Sequence, residues 1–314
     1  MSKITLVTPC FNSRPFIRDV VSSVLNQDIS DWEHILVDDG SSDGTIDLLK
    51  EFSDKDGRIK VVQQTNSGTC KARNRGASMA TPDSFYLMFV DHDDVLEPNA
   101  LRVLSSYLDT HSEVCVVACQ LREIDSEGKA IGGKIRSRWV PSVFNIPRPL
   151  RSDEYETPFA TFYCGTGQGP FAMFRRAAFD QVGGWTTDFW PHEDTDLFCK
   201  MALIGKIHYL PLRLYRKRVH ADNALTDFNR VVRAYDAFRE KWDNFQPRTP
   251  QEAVTLREAA VFYRTSFRPL RDLKVGVKAL GEFVRHPNLE KLLWALHLFG
   301  CGMRDLVRYR LFAR

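Results

Sequence analysis

The chain has 314 residues, 43% of them hydrophobic, and a formal net charge of +3. That suffices for one large domain, or one domain plus an extension, with a sizeable buried core. Seven scattered cysteines with no CxxC pair argue against a disulfide framework and for a reducing compartment. Charge is uneven along the chain. Residues 226–314 hold 17 Lys and Arg against 10 Asp and Glu, whereas residues 1–225 hold 26 against 30. An acidic front suits a cation and a basic tail suits an anionic partner. Met1-Ser2-Lys3 leads straight into a strand-like run, so no secretory signal is expected. No apolar stretch reaches the roughly 18–20 residues that span a bilayer. The expected location is the cytoplasm, with peripheral contact at the cytoplasmic face of the inner membrane left open.

From the N-terminus, two periods alternate. Ile4-Thr5-Leu6-Val7-Thr8 reads as a strand buried on both faces. Phe16, Ile17, Val20, Val21, Val24 and Leu25 then recur at helical spacing. His34-Ile35-Leu36-Val37 is a second strand ending in Asp38-Asp39-Gly40-Ser41, followed by a short helix with Ile46, Leu49 and Phe52 on one face. Ile59 to Val62 is a third strand, residues 69–80 a helix, and Phe85 to Val90 a fourth strand ending in Asp91-His92-Asp93-Asp94. This alternation predicts an α/β fold of βαβ units around a mostly parallel, doubly wound sheet flanked by helices. Residues 120–170 lose periodicity and read as long loops with one hairpin near Gly128. From about residue 227 the pattern turns helical, punctuated by Pro247, Pro250, Pro269 and Pro287. The expected organisation is a domain over residues 1–225 and a helical, basic extension over 226–314.

Ligands of such sheets bind beyond the carboxyl ends of the strands, and three of those ends carry notable residues: Thr8-Pro9-Cys10, Asp38-Asp39 and Asp91–Asp94. Asp91 and Asp93, one residue apart at a strand end, can address one hard cation, Mg2+ or Mn2+, which shares its shell with substrate phosphates. The bland alternative is an acidic turn capping the next helix. Asp38-Asp39-Gly40-Ser41-Ser42 has a similar alternative, a capped strand-to-helix turn. Asn66-Ser67-Gly68 and Ala72-Arg73-Asn74-Arg75-Gly76 combine close backbone approach with arginines suited to phosphate or base contacts.

Taken in order and spacing, these five segments resemble family 2 of the glycosyltransferases, a mostly inverting family with the GT-A fold. Phe174-Arg175-Arg176, Val182-Gly183-Gly184-Trp185 and Glu193-Asp194-Thr195-Asp196-Leu197 extend the resemblance, which covers roughly residues 3–225. It implies a Rossmann-like nucleotide-sugar transferase. Asp39 would read the nucleobase, with Pro9, Asn66 and Arg73 on the same donor site. Asp93 would ligate the metal, with Asp91 as ribose or metal partner. Asp194 would be the catalytic base, with Glu193 orienting it or binding the acceptor; otherwise the pair is the acidic first turn of a helix. His220 would lie near metal or diphosphate, although Arg216, Lys217 and Arg218 compete for that role. Trp185 would stack on a sugar or simply pack.

The resemblance implies transfer from a UDP- or dTDP-sugar to a glycan or lipid-linked acceptor, in cell-surface glycan or polysaccharide synthesis. Two other readings remain: a sugar nucleotidyltransferase of related fold, and a catalytically silent nucleotide- or sugar-binding protein. Cys10-Phe11 replaces an aromatic Tyr common in relatives. No Gln-x-x-Arg-Trp follows the base, which argues against processive addition. The run Cys164-Gly165-Thr166-Gly167-Gln168-Gly169-Pro170 lacks the Gly-Lys-Ser/Thr of a P-loop and reads as an acceptor-side loop. Residues 289–312 combine Leu292, Leu293, Trp294 and Phe299 with Arg304, Arg308 and Arg310. Residues 287–314 would then pack on the domain, join a second subunit in a homo-oligomer, or lie on anionic lipid. No recognised nucleic-acid-binding module is present, so no nucleic-acid partner is expected.

Overall fold

The computed structural model describes residues 3–131, 159, 171–220 and 228–262. The glycine-rich run 164–170 and the tail 287–314 lie outside them. The chain divides into two compact units, the first taking in described residues up to Glu240 and the second comprising Phe159 and residues 241–262.

The first unit opens with β1 (Ile4–Cys10), α1 (Ile17–Leu25), β2 (Trp32–Asp38), α2 (Thr45–Lys55), β3 (Ile59–Gln63), α3 (Thr69–Ser78) and β4 (Tyr86–Phe89). Every residue of β1 and β2 is buried: β1 is a nearly continuous apolar and β-branched run, and β2 buries Glu33, His34 and Asp38 along with its apolar residues. On α1 the buried Ile17, Val20, Val21 and Val24 follow one helical stripe. Next come β5 (Val95–Leu96), α4 (Ala100–Thr110), β6 (Val114–Ile124), β7 (Ala172–Arg175), α5 (Arg176–Gln181), α6 (Glu193–Ile204), β8 (Lys206–Arg218) and α7 (Phe228–Asp243). The second unit contains α8 (Pro250–Phe262). Thr249 and Glu252 start α8 as a capping pair: Glu252 N–H donates to Thr249 Oγ1, and the Glu252 carboxylate accepts Arg248 N–H.

The strands form one eight-stranded sheet in the order β3-β2-β1-β4-β7-β6-β8-β5. β3, β2, β1 and β4 are mutually parallel, as the βαβ pattern predicts. Beyond β4 the sheet is mixed. β7 runs antiparallel to both β4 and β6, and β5 antiparallel to β8. A short apolar run fixes a strand but not its direction. Residues 120–124, expected in loop, continue β6 and pair with β8 across register shifts. The hairpin expected near Gly128 is present: Ile124 bridges Ala130, and Gly128 sits at φ +82°.

Two glycines permit close approach, one of a helix to the sheet and one between two loops. A Cβ on Gly76 would stand 2.3 Å from Val7 Cγ1, so only glycine lets α3 lie this close to β1. On Gly40, at φ +78°, a Cβ would meet Asn66 N at 2.9 Å.

His34 lies inside this packing. It is fully buried on β2, with Nε2 2.9 Å from Thr8 Oγ1 and Nδ1 lacking a partner among the described residues. Burial pushes its pKa down to about 3. The unfolded chain takes up a proton near pH 6.5 that the folded chain refuses, so stability falls as pH drops below that value. His34 alone should make the protein less stable at pH 5.5 than at pH 7.5 by on the order of 1 kcal/mol. Denaturant titrations of wild type and His34→Gln at both pH values test this. The variant should lose that increment, and an unchanged pH slope would contradict the assignment.

Candidate active site

Because β1, β2 and β4 are parallel, their carboxyl ends open on one edge of the sheet. The loops after β1 and β2 are tied together there. Asn12 Oδ1 accepts Ser42 N–H at 2.9 Å, Asn12 N–H donates to Ser41 Oγ at 3.0 Å, and Ser13 N–H donates to Thr45 Oγ1 at 2.8 Å. Asp39 follows β2 and is buried. Its carboxylate accepts Gln64 Nε2, Ser67 N–H and Gly68 N–H, each at 2.8 Å. One side chain thus shapes the whole 64–68 turn and leaves Asn66 exposed. Pro9 is buried in β1 opposite Val37. Phe11, on the rim, is 45% exposed.

The second part of the site follows β4. One oxygen from each of Asp91, Asp93 and Asp94 lies within 4.8 Å of the others. Three carboxylates at that spacing fit a hard divalent cation, which prefers oxygen ligands. His220 joins them, with Nε2 2.9 Å from Asp93 Oδ2. Asp94 is buried and accepts Arg218 N–H at 2.8 Å. Burial, then the Asp93 and Asp91 charges, push its pKa well above the ordinary carboxylate range. A bound cation would relieve that strain of like charges.

Three basic residues at the end of β8 have different fates. Arg216 forms a two-point pair with Glu97, at 2.7 and 2.5 Å. Arg218 is 1% exposed. Its side chain donates to the carbonyls of Asp93, Asp125 and Ser126 and to the Asp19 carboxylate. Both are therefore structural ties, which removes them as phosphate contacts. Lys217 is exposed, and its charge lowers the pKa values of both Asp91 and Asp194.

The third part is the start of α6. Glu193 is buried, and burial, followed by the Asp194 charge, raises its pKa to about 7. Burial also raises Asp194, against hydrogen bonds from Thr195. Arg73 joins this helix to the acidic strand end. The side chain is 4% exposed, with Nη2 2.7 Å from Asp91 Oδ1 and Nη1 3.3 Å from Glu193 Oε1. Its guanidinium carbon lies 4.5 Å from the Trp185 ring centroid. Arg73, expected beside the nucleobase, is thus committed to two carboxylates. Trp185 is 2% exposed, edge-on to Phe89 at 5.1 Å, so it packs and offers no open face for a sugar. Asn74 holds its backbone from both sides: Nδ2 donates to Trp185 O at 2.8 Å, and Oδ1 accepts Trp185 N–H at 2.9 Å.

The family model of glycosyl transferase family 2 matches residues 5–183. The chain belongs to this family. Among family-2 relatives, the chondroitin synthase of Pasteurella multocida (strain Pm70) is 26% identical over 221 residues, 70% of this chain and 21% of that protein. The chain therefore spans about a fifth of that relative's length. The putative teichuronic acid biosynthesis glycosyltransferase TuaG of Bacillus subtilis (strain 168) is 44% identical over 92 residues, 29% of this chain and 36% of that one. Two solved structures share the fold. S. aureus TarS 1–349 in complex with UDP-GlcNAc has a TM-score of 0.64 at 19% identity, covering 97% of this chain and 81% of that one. The mannosyltransferase PcManGT from Pyrobaculum calidifontis, in complex with GDP-Man and Mn2+, has 0.58 at 16%, covering 99% and 88%. At these identities the likeness is one of fold: the chain has the GT-A fold that the sequence resemblance implies. Among the described residues, no helix is long and apolar enough to cross a membrane.

For this family-2 chain, sequence reasoning overlooked Asp94 as a ligand candidate, Arg218 as a tie and Asn74 as a clamp. Asp94 stood in the same acidic string, but burial separates it from its neighbours and a string does not display burial. Removing Arg73 leaves two carboxylates facing each other without compensation. Arg73→Met should destabilise the fold by on the order of 3 kcal/mol in urea titrations. Arg73→Lys should recover only part of this, because an ammonium cannot fork to two carboxylates and lie on an indole together. Wild-type stability in Arg73→Met would contradict the linking role.

Proposed function

We propose that this glycosyltransferase is inverting and metal-dependent, moving a sugar from a UDP- or dTDP-linked donor to a hydroxyl of a glycan or lipid-linked acceptor in cell-surface polysaccharide synthesis. One observation carries the reading: the cluster of Asp91, Asp93 and Asp94 is joined through a single buried arginine to the Glu193–Asp194 pair. A cation cluster and a raised-pKa carboxylate pair held in register are what single-displacement transfer from a diphosphate requires.

Asp39, Pro9 and the 64–68 turn with Asn66 form the nucleoside side, Asp39 by fixing the backbone of that turn and Asn66 by its exposure on it. Asp91, Asp93 and Asp94 would hold a divalent cation, Mn2+ or Mg2+, with His220 beside Asp93, and when bound it would supply positive charge against the departing diphosphate. Lys217 supplies a second positive charge on the same side. Trp185 and Arg73 support the donor site from beneath. Asp194 accepts the acceptor hydroxyl proton as that oxygen attacks the anomeric carbon from the face opposite the leaving group. Glu193, anchored by Arg73, orients Asp194 and the acceptor. One displacement without a covalent intermediate inverts the anomeric centre.

A panel of UDP- and dTDP-sugars with Mn2+ or Mg2+ and hydroxyl acceptors, assayed by release of nucleoside diphosphate, tests this reading. Asp194→Asn should lower kcat by about 10³-fold with donor affinity within a factor of about two. Lys217→Ala should instead weaken binding of the nucleoside diphosphate. Turnover by Asp194→Asn at the wild-type rate would remove Asp194 from the base role.

The pH profile is a separate check. The base must be unprotonated, and burial raises both carboxyls of the pair. The acid limb of kcat/KM should therefore lie above the ordinary carboxylate range. A limb near pH 4, where exposed carboxylates titrate, would contradict the assignment.

A further inference from the structure

His192 directly precedes the Glu193–Asp194 pair and occupies φ +82°, ψ 5°. A non-glycine residue in this left-handed region is strained and persists only where its surroundings fix it. Ring contacts from α7, which lies beyond the residues matched by the family model, reach His192 here. The His192 ring is 5.3 Å from Tyr235 in an edge contact and 6.1 Å from Phe238. Phe189 meets Phe238 at 6.3 Å, and the Arg230 guanidinium lies 4.1 Å from the Trp190 ring centroid. Successive side chains of the approach to α6 are thus held by residues along α7. Phe238 is fully buried, so this contact is part of the core of the first unit and not a surface brush. The His192 carbonyl accepts Asp196 N–H at 3.0 Å, making it the first acceptor of α6. The conformation held at His192 therefore sets where that helix starts.

We propose that α7 is a positioning clamp for the catalytic pair, in which Tyr235 holds His192 in its left-handed conformation and so aims Asp194 at the acceptor. The proposal rests on the reading of Asp194 as the base. Neither Tyr235 nor His192 needs to touch substrate. Their effect is on the orientation of a helix start, where a displacement of about 1 Å costs on the order of 100-fold in rate. His192→Gly tolerates the positive φ but removes the ring that selects it. It should behave like the loss of Tyr235.

The test uses the full chain and four proteins: wild type, Tyr235→Ala, Tyr235→Phe and His192→Gly. Tyr235→Ala and His192→Gly should lose about 10- to 100-fold in kcat while UDP affinity in Mn2+ stays within about two-fold. Tyr235→Phe keeps the ring and should stay close to wild type. A contribution to stability alone would lower the melting temperature without this split between kcat and binding. Amide hydrogen exchange over residues 189–199 gives a readout independent of turnover. It should accelerate in Tyr235→Ala and not in Tyr235→Phe. A Tyr235→Ala protein with wild-type kcat, or with unchanged exchange over that segment, would overturn the clamp. A wild type that turned over no donor would instead count against the proposed function, and exchange would still decide the clamp.

Discussion

A single buried guanidinium ties the two chemical halves of this molecule together. Arg73 reaches Asp91 at the end of β4 and Glu193 at the start of α6, with the Trp185 ring against it. Stripping water from an arginine and two carboxylates is costly, and a buried ion pair is weak evidence for stability. Arg73 Nε is buried without a hydrogen-bond partner among the described residues, which adds to that cost. The arrangement makes sense as positioning. It fixes the distance between the acidic strand end after β4 and the start of α6, where the proposed base lies. Gly76, one turn further along α3, lets that helix lie close enough on β1 for the guanidinium to reach both.

The remainder of the site follows the same logic of saturated anchors around a few unsaturated groups. Asp39 spends its carboxylate on the 64–68 turn, Arg218 its guanidinium on three carbonyls and Asp19, and Asn74 both ends of its amide on Trp185. Against that frame, Lys217 is exposed, and the acidic cluster and Asp194 are the groups proposed to address a substrate. The acidic cluster holds Asp94 in a protonation-prone state because like charges crowd a buried carboxyl. Cation binding and carboxylate ionisation are therefore linked at this strand end.

Much of this was legible in the sequence. Runs such as Ile4–Thr8 and helical stripes such as Ile17, Val20, Val21 and Val24 carry their period openly, and parallel strands place the residues after β1, β2 and β4 at one edge. The acidic strings at Asp38-Asp39 and Asp91–Asp94 are visible for the same reason. What stayed hidden depends on contacts distant in sequence. Nothing near Arg73 announces that its partner is Glu193, 120 positions away. Arg216, Lys217 and Arg218 look alike as letters, and only the pairing of β8 with β6 and β5 sends two of them into structural ties. The direction of β7 is equally invisible, because a run as short as Ala172-Met173-Phe174 fits a strand running either way. Trp185 left stacking and packing equally open until its burial was seen.

The central claim is that the carboxylates after β4 form a cation-dependent nucleoside-diphosphate site. Calorimetric titration of UDP, dTDP, GDP and CMP, in Mn2+, in Mg2+ and in EDTA, tests it on wild type and Asp93→Ala. The account predicts binding of UDP or dTDP in the presence of metal, lost in EDTA and lost in the variant. Binding of equal strength in EDTA, or no binding of any nucleotide under either metal, would contradict it.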